Sequence, residues 1–430
     1  MSHGKTRILI WIAATLLLIF LGLQFVRPEI GNPPVTADLQ APPEVKQILR
    51  NSCYNCHSNE TKLAWFDHVV PAYWLVASDV KRARMHVNFS ELGARPSGEQ
   101  KATLYEAVHM IHFGAMALPS YLRVHPGAAV TPSQLAVLRA YLTPPATSSP
   151  PSEADLAAAN AEYREWIAGG KGPLRVSAAP NGIAFPADYK NWKAISSTDR
   201  FDNQTKRVVL GNDIAVKAVA ENRIDPWPDG ATFAKVAWKQ PTGAFVQVEF
   251  MIKDSQKYAS TLGWGFARWR GADLKPYGKD AAFAEECVGC HTPLRKSDFV
   301  FTEPVKAPTE PLNPLQWRLI TSALHQQDST MSSLFGNDPA VEYARTHTEH
   351  DYPAGSALAL VTWTEREDPR WFGARIPAAL KSVELVKVNL DSFTYQDFEG
   401  SPLRKTSAEE GRAPSERALF LLSQPASVMP

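Results

Sequence analysis

The chain has 430 residues, enough for about two to four domains that each bury a core. It carries 45 basic and 44 acidic side chains, and the net charge of +1 gives no reason to expect a nucleic acid as partner. The 34 prolines and 12 tryptophans indicate a loop-rich chain with aromatic packing rather than a disordered one.

An apolar run extends from Ile8 to Val26 near the N terminus. A membrane-spanning helix needs about 20 such residues, and Lys5 and Arg7 before the run place the N terminus in the cytoplasm by the positive-inside rule. A cleaved signal peptide is the alternative, although no small-x-small cleavage site follows closely. We therefore predict a transmembrane anchor over 1–30. This makes the protein anchored in a bacterial inner membrane, with its bulk in the periplasm.

Two short motifs use all four cysteines of the chain. Both have the spacing Cys-x-x-Cys-His, and their members are Cys53, Cys56 and His57 in the first and Cys287, Cys290 and His291 in the second. This is the attachment signature of c-type haem, in which two thiols form thioethers and the histidine binds the iron. A zinc site or a disulfide is the alternative, but zinc usually takes four nitrogen or sulfur ligands. A histidine directly after each pair favours two covalently bound haems.

The first motif lies in a segment with helical patterns. Periodicity predicts helices over 44–52 and 72–84. Capping-box patterns predict further helices that begin at Ser97 and at Thr131, the last of them ending at Leu142. We predict an all-α cytochrome c domain over about 45–142.

Residues 53–61 resemble the small haem-binding-domain family of bacterial cytochromes c. The resemblance implies a methionine as sixth iron ligand, in a loop before a proline and a tyrosine, and Met116 is the residue here. His109 and His112 are the competing ligands. Because methionine ligation raises the reduction potential and fills the last iron position, this haem would store and pass electrons.

A linker rich in proline and serine is predicted over 143–179, with a short helix over 153–167. After the linker the period of the apolar residues changes, and strands are predicted over 207–210, 231–238 and 245–252. In the third strand, alternation puts Val246, Val248, Phe250 and Ile252 on one apolar face, and Glu249 on the other face with Phe245, Gln247 and Met251. These strands predict a mainly antiparallel, α+β domain over 180–305 that ends with the second cysteine motif.

Several short sequences in this domain resemble the cytochrome P-460 family. They are Tyr189-Lys190-Asn191-Trp192, Trp227-Pro228-Asp229-Gly230 followed by Lys235, Gly263-Trp264-Gly265-Phe266, and the motif at 287–291 followed by Asp298-Phe299-Val300-Phe301. The family includes hydroxylamine-oxidising enzymes and nitric-oxide-binding cytochromes. The resemblance implies a mainly antiparallel β fold and a five-coordinate haem with His291 as proximal ligand.

The resemblance also implies three catalytic residues. Lys235 falls where the enzymes have a lysine bonded to the porphyrin rim, Glu249 where they have a distal carboxylate, and Arg207 where they have a pocket arginine. A general base contributes about 10²–10⁴-fold, and we expect desolvation among Phe and Met neighbours to raise the proton affinity of Glu249. The alternative is that Glu249 and Lys235 form a partly buried salt bridge.

The segment 310–430 repeats the preceding domain at a constant separation of 125 residues. The recurring residues are Trp192 and Trp317, Gly211-Asn212-Asp213 and Gly336-Asn337-Asp338, Ala215-Val216 and Ala340-Val341, Pro228 and Pro353, Gly230 and Gly355, and Trp238 and Trp363. Lys235 corresponds to Leu360 and Arg207 to Ser332, and the segment has no cysteine. We predict a haem-less repeat that acts as an internal pseudo-dimer partner, since the family resemblance implies homodimers. A separate accessory domain is the alternative.

Two functions follow from these patterns. In the first, the His291 haem oxidises hydroxylamine or a related small nitrogen compound, with electrons passed to the His57 haem and then to a soluble carrier such as cytochrome c. In the second, the His291 haem captures nitric oxide or another diatomic ligand without turnover. Lys235 favours the enzyme. A peroxidase-like activity is a third, weaker alternative.

Overall fold

The computed structural model describes residues 3–144, 151–169, 175–305, 313–400, 402–406 and 414–430. The chain divides into two compact units, Met1–Thr143 and Pro144–Pro430. Much of the predicted linker, at 145–150 and 170–174, lies outside the described residues, as do 310–312, 401 and 407–413 of the predicted repeat.

The described part of the first unit is helical, as predicted. Its helices are α1 (His3–Leu23), α2 (Pro43–Ser52), α3 (Tyr54–His57), α4 (Ala72–His86), α5 (Phe89–Leu92), α6 (Ser97–His112), α7 (Pro119–Leu122) and α8 (Pro132–Leu142). Leu49 of α2, Leu104 and Val108 of α6 and Leu138 of α8 are buried together. The core therefore forms where these three helices meet.

The predicted transmembrane anchor is wrong. The helix ends at Leu23, so only residues 8–23 of the apolar run are helical. At 1.5 Å per residue they rise about 24 Å, less than the roughly 30 Å of a hydrocarbon core. Within the described residues, no helix combines the length and the hydrophobicity that a membrane crossing needs. This finding also overturns the membrane-anchored location that was predicted from the run.

Local signals located some helix ends in the first unit. Thr131 caps α8 as predicted, because its Oγ1 accepts from the Gln134 backbone N–H at 3.2 Å and Gln134 Oε1 accepts from the Thr131 N–H at 2.9 Å. The capping box predicted at Ser97 is wrong. Helix α6 already includes Ser97, and the Gln100 side-chain amide donates instead to the carbonyls of Gly93 and Arg95.

The second unit begins with α9 (Glu153–Ile167), the helix predicted there, and continues with strands. The strands are β1 (Lys193–Arg200), β2 (Thr205–Gly211), β3 (Thr232–Lys239), β4 (Phe245–Lys253), β5 (Trp264–Arg270), β6 (Lys275–Pro276), β7 (Arg318–His325), β8 (Thr330–Gly336), β9 (Ala357–Glu367), β10 (Ala374–Val388), β11 (Phe393–Glu399) and β12 (Arg404–Lys405). The helices between and after them are α10 (Asp213–Ala220), α11 (Ala284–His291), α12 (Asp338–Ala344) and α13 (Pro414–Leu422).

The described strands form one twelve-stranded antiparallel sheet, which confirms the predicted sheet type. The order is β12-β11-β10-β9-β8-β7-β1-β2-β3-β4-β5-β6, and β10 also pairs with the end of β1. Strands of the haem-motif domain and strands of the predicted repeat therefore belong to a single sheet.

The same elements recur on the two halves of this sheet. Strand β7 begins 125 residues after β1, and β8, α12 and β9 follow β2, α10 and β3 at the same separation. The side chains of Asn212 and Asn337 cap α10 and α12 in the same way.

Alternation along the strands gives β2 to β5 two different apolar faces. One face includes Val208, Val236 and Val248, and the opposite face, called here the haem face, includes Val209, Phe233 and Phe266 together with Met251 and the partly buried Cys287 and Val288. Phe245, predicted on the face of Glu249, lies on the first face instead. A register shift between Ala237 and Trp238, where β3 pairs with the start of β4, accounts for this difference.

Candidate functional site

The second cysteine motif lies on α11, which packs on the haem face of the sheet. Cys287 and Val288 contact an apolar cluster that includes Phe233 and Phe266. The His291 ring lies 5.1 Å from the Phe266 ring and, edge-on, 4.7 Å from the Phe301 ring, measured between centroids. The histidine is partly buried and packs against two aromatic side chains.

One backbone carbonyl orients His291. Its Nδ1 lies 2.6 Å from the Phe299 carbonyl oxygen. A carbonyl can only accept, so Nδ1 carries the hydrogen and donates it. The other ring nitrogen, Nε2, is then left with the lone pair that a proximal iron ligand needs.

The carbonyl itself is part of a tight turn. Asp298 and Phe299 both have left-handed backbone angles, with φ of 48° and 64°. Asp298 accepts hydrogen bonds from Lys253 Nζ at 2.8 Å and from the Trp227 backbone N–H at 3.0 Å, and the Trp264 indole donates to its carbonyl at 2.8 Å. Buried groups from β4, β5 and a preceding loop therefore hold the turn after the motif.

A row of charged residues crosses the haem face on neighbouring strands. Lys235 on β3, Glu249 on β4 and Arg268 on β5 are direct cross-strand partners. The Lys235 ammonium forms an ion pair with Glu249, Arg268 Nε lies 2.7 Å from Glu249 Oε1, and Gln247 donates to the same oxygen at 2.8 Å. The Glu249 side chain is only 15% exposed. The structure thus shows the salt bridge that the sequence left as an alternative, with a second cation added to it.

Arg207, the third predicted catalytic residue, lies on β2 beside this row. It is buried, and its Nε donates to Thr205 Oγ1 at 3.1 Å. Its positive charge lowers the pKa of both the Glu249 carboxyl and the Lys235 ammonium. The structure therefore brings Arg207, Lys235 and Glu249 together.

The predicted rise in the proton affinity of Glu249 is wrong. Burial alone would raise the pKa of this carboxyl, but the charges of Arg268, Lys235 and Arg207 outweigh burial and hold the pKa well below its ordinary value. Burial lowers the pKa of the Lys235 ammonium, and Arg207 lowers it further. Glu249 is therefore ionised at neutral pH, next to an amine that loses its proton more easily than an exposed lysine.

The charged row lies within electrostatic reach of the cysteine motif. Burial raises the pKa of the Cys287 thiol, and the charges of Arg268, Glu249 and Lys235 all act on that thiol. Arg268 was not predicted from the sequence. The available signal was its position two residues after Phe266, on the same face of the strand.

These residues fit a covalently bound haem. Two thiols and a histidine whose Nδ1 donates to a backbone carbonyl lie on one helix, against an apolar and aromatic face. No disulfide joins any of the four cysteines, all of which are described. Among the described residues, no group of three or more His, Cys, Asp or Glu side chains is placed so that it could hold a metal ion.

The first motif has a similar arrangement on α3. His57 Nδ1 lies 3.2 Å from the Val87 carbonyl oxygen, which again leaves Nε2 for iron. Burial raises the pKa of Cys53 to about 12 and of Cys56 to about 11. This arrangement also fits a covalently attached haem.

Met116 as a sixth iron ligand for a haem at the first motif stays a prediction. Met116 is partly buried in the loop before α7, and the Asn55 side chain donates to the Tyr121 hydroxyl of α7 at 3.4 Å. The loop that carries Met116 therefore leads directly to a helix in contact with the motif. Of the competing histidines, His109 is buried and His112 is exposed.

Comparison with known families agrees with this geometry. Residues 18–144 match the model of a haem-binding domain, and residues 186–302 match the model of cytochrome P460. No curated protein matches the chain.

Proposed function

We propose that this haem cytochrome, which carries a haem-binding domain followed by a cytochrome P460 domain, oxidises hydroxylamine or a related small nitrogen compound at the His291 site. The observation that carries the proposal is that Lys235 and Glu249, the residues matched to the crosslink and the distal carboxylate of the enzymes, are cross-strand partners on the face that also holds Cys287. Electrons would pass to a haem held by Cys53, Cys56, His57 and Met116, and then to a soluble carrier such as cytochrome c.

The chain's own residues have distinct parts in this proposal. Cys287 and Cys290 would attach the haem, and His291 would bind its iron through Nε2. The bound haem supplies an open iron position for nitrogen and accepts electrons. Glu249, ionised and protected from water, would accept protons from the substrate.

A base with a depressed pKa is a weak proton acceptor, so Glu249 needs to lose one of its cations to work well. Lys235 is that cation, since the family resemblance places it where enzymes bond a lysine to the porphyrin rim. An amine bonded to the ring no longer carries the ammonium charge. The bond would therefore raise the pKa of Glu249 toward the range of an effective base.

The intact ion pair favours a second function. If Lys235 stays an ammonium paired with Glu249, the carboxylate is neutralised by Lys235 and Arg268 together. A haem at His291 would then bind nitric oxide or another diatomic ligand without an efficient base beside it.

Mass analysis of haem-bearing peptides separates the two functions. We expect the peptide with Lys235 to stay joined to the haem peptide over 287–291. Lys235→Ala should abolish this joined peptide. Lys239→Ala should not, since Lys239 is on the same strand with a side chain that is 53% exposed.

Turnover completes the test. Reduction of cytochrome c by hydroxylamine should fall about 10²–10⁴-fold in Glu249→Gln. Separate peptides, together with nitric oxide binding and no hydroxylamine oxidation, would overturn the enzyme in favour of the binding protein.

A further inference from the structure

The haem-less repeat contains a hairpin that is longer than its counterpart. Strands β9 and β10 span Ala357–Glu367 and Ala374–Val388, whereas β3 and β4 span Thr232–Lys239 and Phe245–Lys253. Since β9 begins at the position equivalent to the start of β3, the added length lies toward the tip. The start of β10 also pairs with the end of β1. The extension therefore reaches across to the haem-motif half of the sheet.

Arg370 at the tip contacts the segment that follows the haem motif. Its Nη1 lies 3.1 Å, 3.3 Å and 3.1 Å from the carbonyl oxygens of Val300, Phe301 and Thr302. Its Nε lies 3.5 Å from a Glu303 carboxylate oxygen. One guanidinium therefore holds three successive carbonyls, directly after the Phe299 carbonyl that accepts from His291.

Trp371, the next residue, contacts the same segment through its indole ring. Its ring lies 5.6 Å from the Phe301 ring, which in turn packs edge-on against His291. The indole N–H donates to Asp202 at 2.9 Å, and the Arg200 guanidinium lies 4.4 Å from the indole ring centroid. The indole is thus fixed in place behind Phe301.

We propose that Arg370 and Trp371 are positioning residues for His291. The haem-less repeat would then support the proximal side of a haem bound in the preceding domain of the same chain. The turn at Asp298 and Phe299 has two left-handed residues, a conformation that the surrounding structure has to maintain. A hydrogen bond from the second ring nitrogen fixes the orientation of a metal-bound histidine and increases its basicity. Arg370 and Trp371 fix the segment that provides this acceptor. The inference rests on His291 as a haem ligand and not on the substrate.

Arg370→Gln in the full-length haem protein tests the proposal. Hydrogen exchange at the Phe299 and Val300 amides should become at least about tenfold faster, because the segment loses the bonds that keep it closed. The reduction potential of the His291 haem should rise, because a less basic histidine stabilises the oxidised iron less well. Mass analysis of the 287–291 peptide confirms, in the same sample, that the haem is attached.

Arg366→Gln is the matched control. Arg366 is on the same hairpin and pairs with the same Glu303, but its guanidinium donates to that carboxylate and not to the carbonyls of 300–302. Exchange and potential should stay at wild-type values in this variant.

A second variant covers the case in which Arg370→Gln does not fold. Arg370→Lys keeps a positive charge but lacks the fork that places Nη1 against the carbonyls while Nε faces Glu303, and it should show the same two changes to a smaller degree. Wild-type exchange and potential in the folded Arg370 variants would overturn the proposal. Equal changes in Arg366→Gln would also overturn it, since the effect would then belong to the Glu303 ion pair.

Discussion

Lys253 and Asp298 form a buried ion pair, with Lys253 Nζ 2.7 Å from Asp298 Oδ2 and the two side chains 6% and 9% exposed. The pair joins the end of β4 to the turn after the second cysteine motif. Asp298 also accepts from the Trp227 backbone N–H, so its carboxylate has both a charged and a neutral partner. This pair connects the sheet to the residue that precedes the acceptor of His291.

Asp298→Asn should destabilise the second unit by about 3–5 kcal/mol, because removing one partner leaves the Lys253 charge buried and uncompensated. Urea unfolding followed by tryptophan fluorescence measures this. Lys217→Ala is the control, since its ion pair with Glu221 has a distance of 4.0 Å and exposed side chains, and should cost less than about 1 kcal/mol. Equal losses in the two variants would contradict the role assigned to the buried pair.

Much of the fold could be predicted because its signals are local. Helix α8 was located from a capping residue and a proline, which act within one turn, and the motifs at 53–57 and 287–291 are contiguous. The face of Glu249 followed from strand alternation alone. Two predictions about helices failed. The transmembrane anchor failed because helix α1 ends at Leu23, before the end of the apolar run, and the capping box at Ser97 failed because the Gln100 side chain bonds to other carbonyls.

The electrostatics of the site could not be predicted in the same way. The neighbours of Glu249 in the sequence are apolar, and they indicate a raised pKa. The cations that reverse the shift come from β3 and β5, and they reach Glu249 only through the strand register. Arg370 is a stronger case, because it lies about 70 residues from the carbonyls that it contacts.

The pH dependence of stability provides a second prediction, through Glu249→Gln. The folded-state pKa of Glu249 lies below its ordinary value of 4.5, so its stabilising contribution is complete above that value and is lost as the pH falls through the folded-state pKa. At pH 7 the variant should be less stable by about 3 kcal/mol, and the difference from wild type should shrink below about pH 4. Unfolding free energies measured between about pH 3 and pH 7 on protein prepared without haem, in which Lys235 keeps its charge, test this. A difference that grows toward acid pH would mean that the pKa is raised rather than lowered.

Two glycines provide a third prediction with its own control. A Cβ on Gly265 in β5 would lie 2.4 Å from the Tyr258 ring, whereas a Cβ on Gly289 in α11 meets nothing within 4 Å. Gly265→Ala should therefore cost about 1–3 kcal/mol through overpacking, and Gly289→Ala should be neutral or stabilising by up to about 1 kcal/mol through helix propensity. Urea unfolding of both variants tests the difference. A Gly265→Ala protein as stable as wild type would show that Tyr258 does not pack against this strand.

Removing the helix cap should lower the free energy of unfolding equally in the two halves of the sheet, where Asn212 and Asn337 are the capping residues. Asn212 Oδ1 accepts from the N–H groups of Ala215 and Thr232, and its amide donates to the Gly230 carbonyl. Asn337 makes the same three bonds 125 residues later, to Ala340, Ala357 and Gly355.

Asn212→Ala and Asn337→Ala should each cost about 2 kcal/mol, since each removes a helix cap together with a link to the following strand. Because the two sites share no partner, the double variant should show the sum to within about 0.5 kcal/mol. Unfolding free energies of the three proteins test both statements.

Asn212→Asp and Asn337→Asp are the milder variants, because aspartate keeps the accepting oxygen and loses only the donated bond. A large cost at Asn212 with none at Asn337 would mean that the half of the sheet without the cysteine motif does not depend on its own cap. The equivalence of the two halves would then be one of geometry and not of stability.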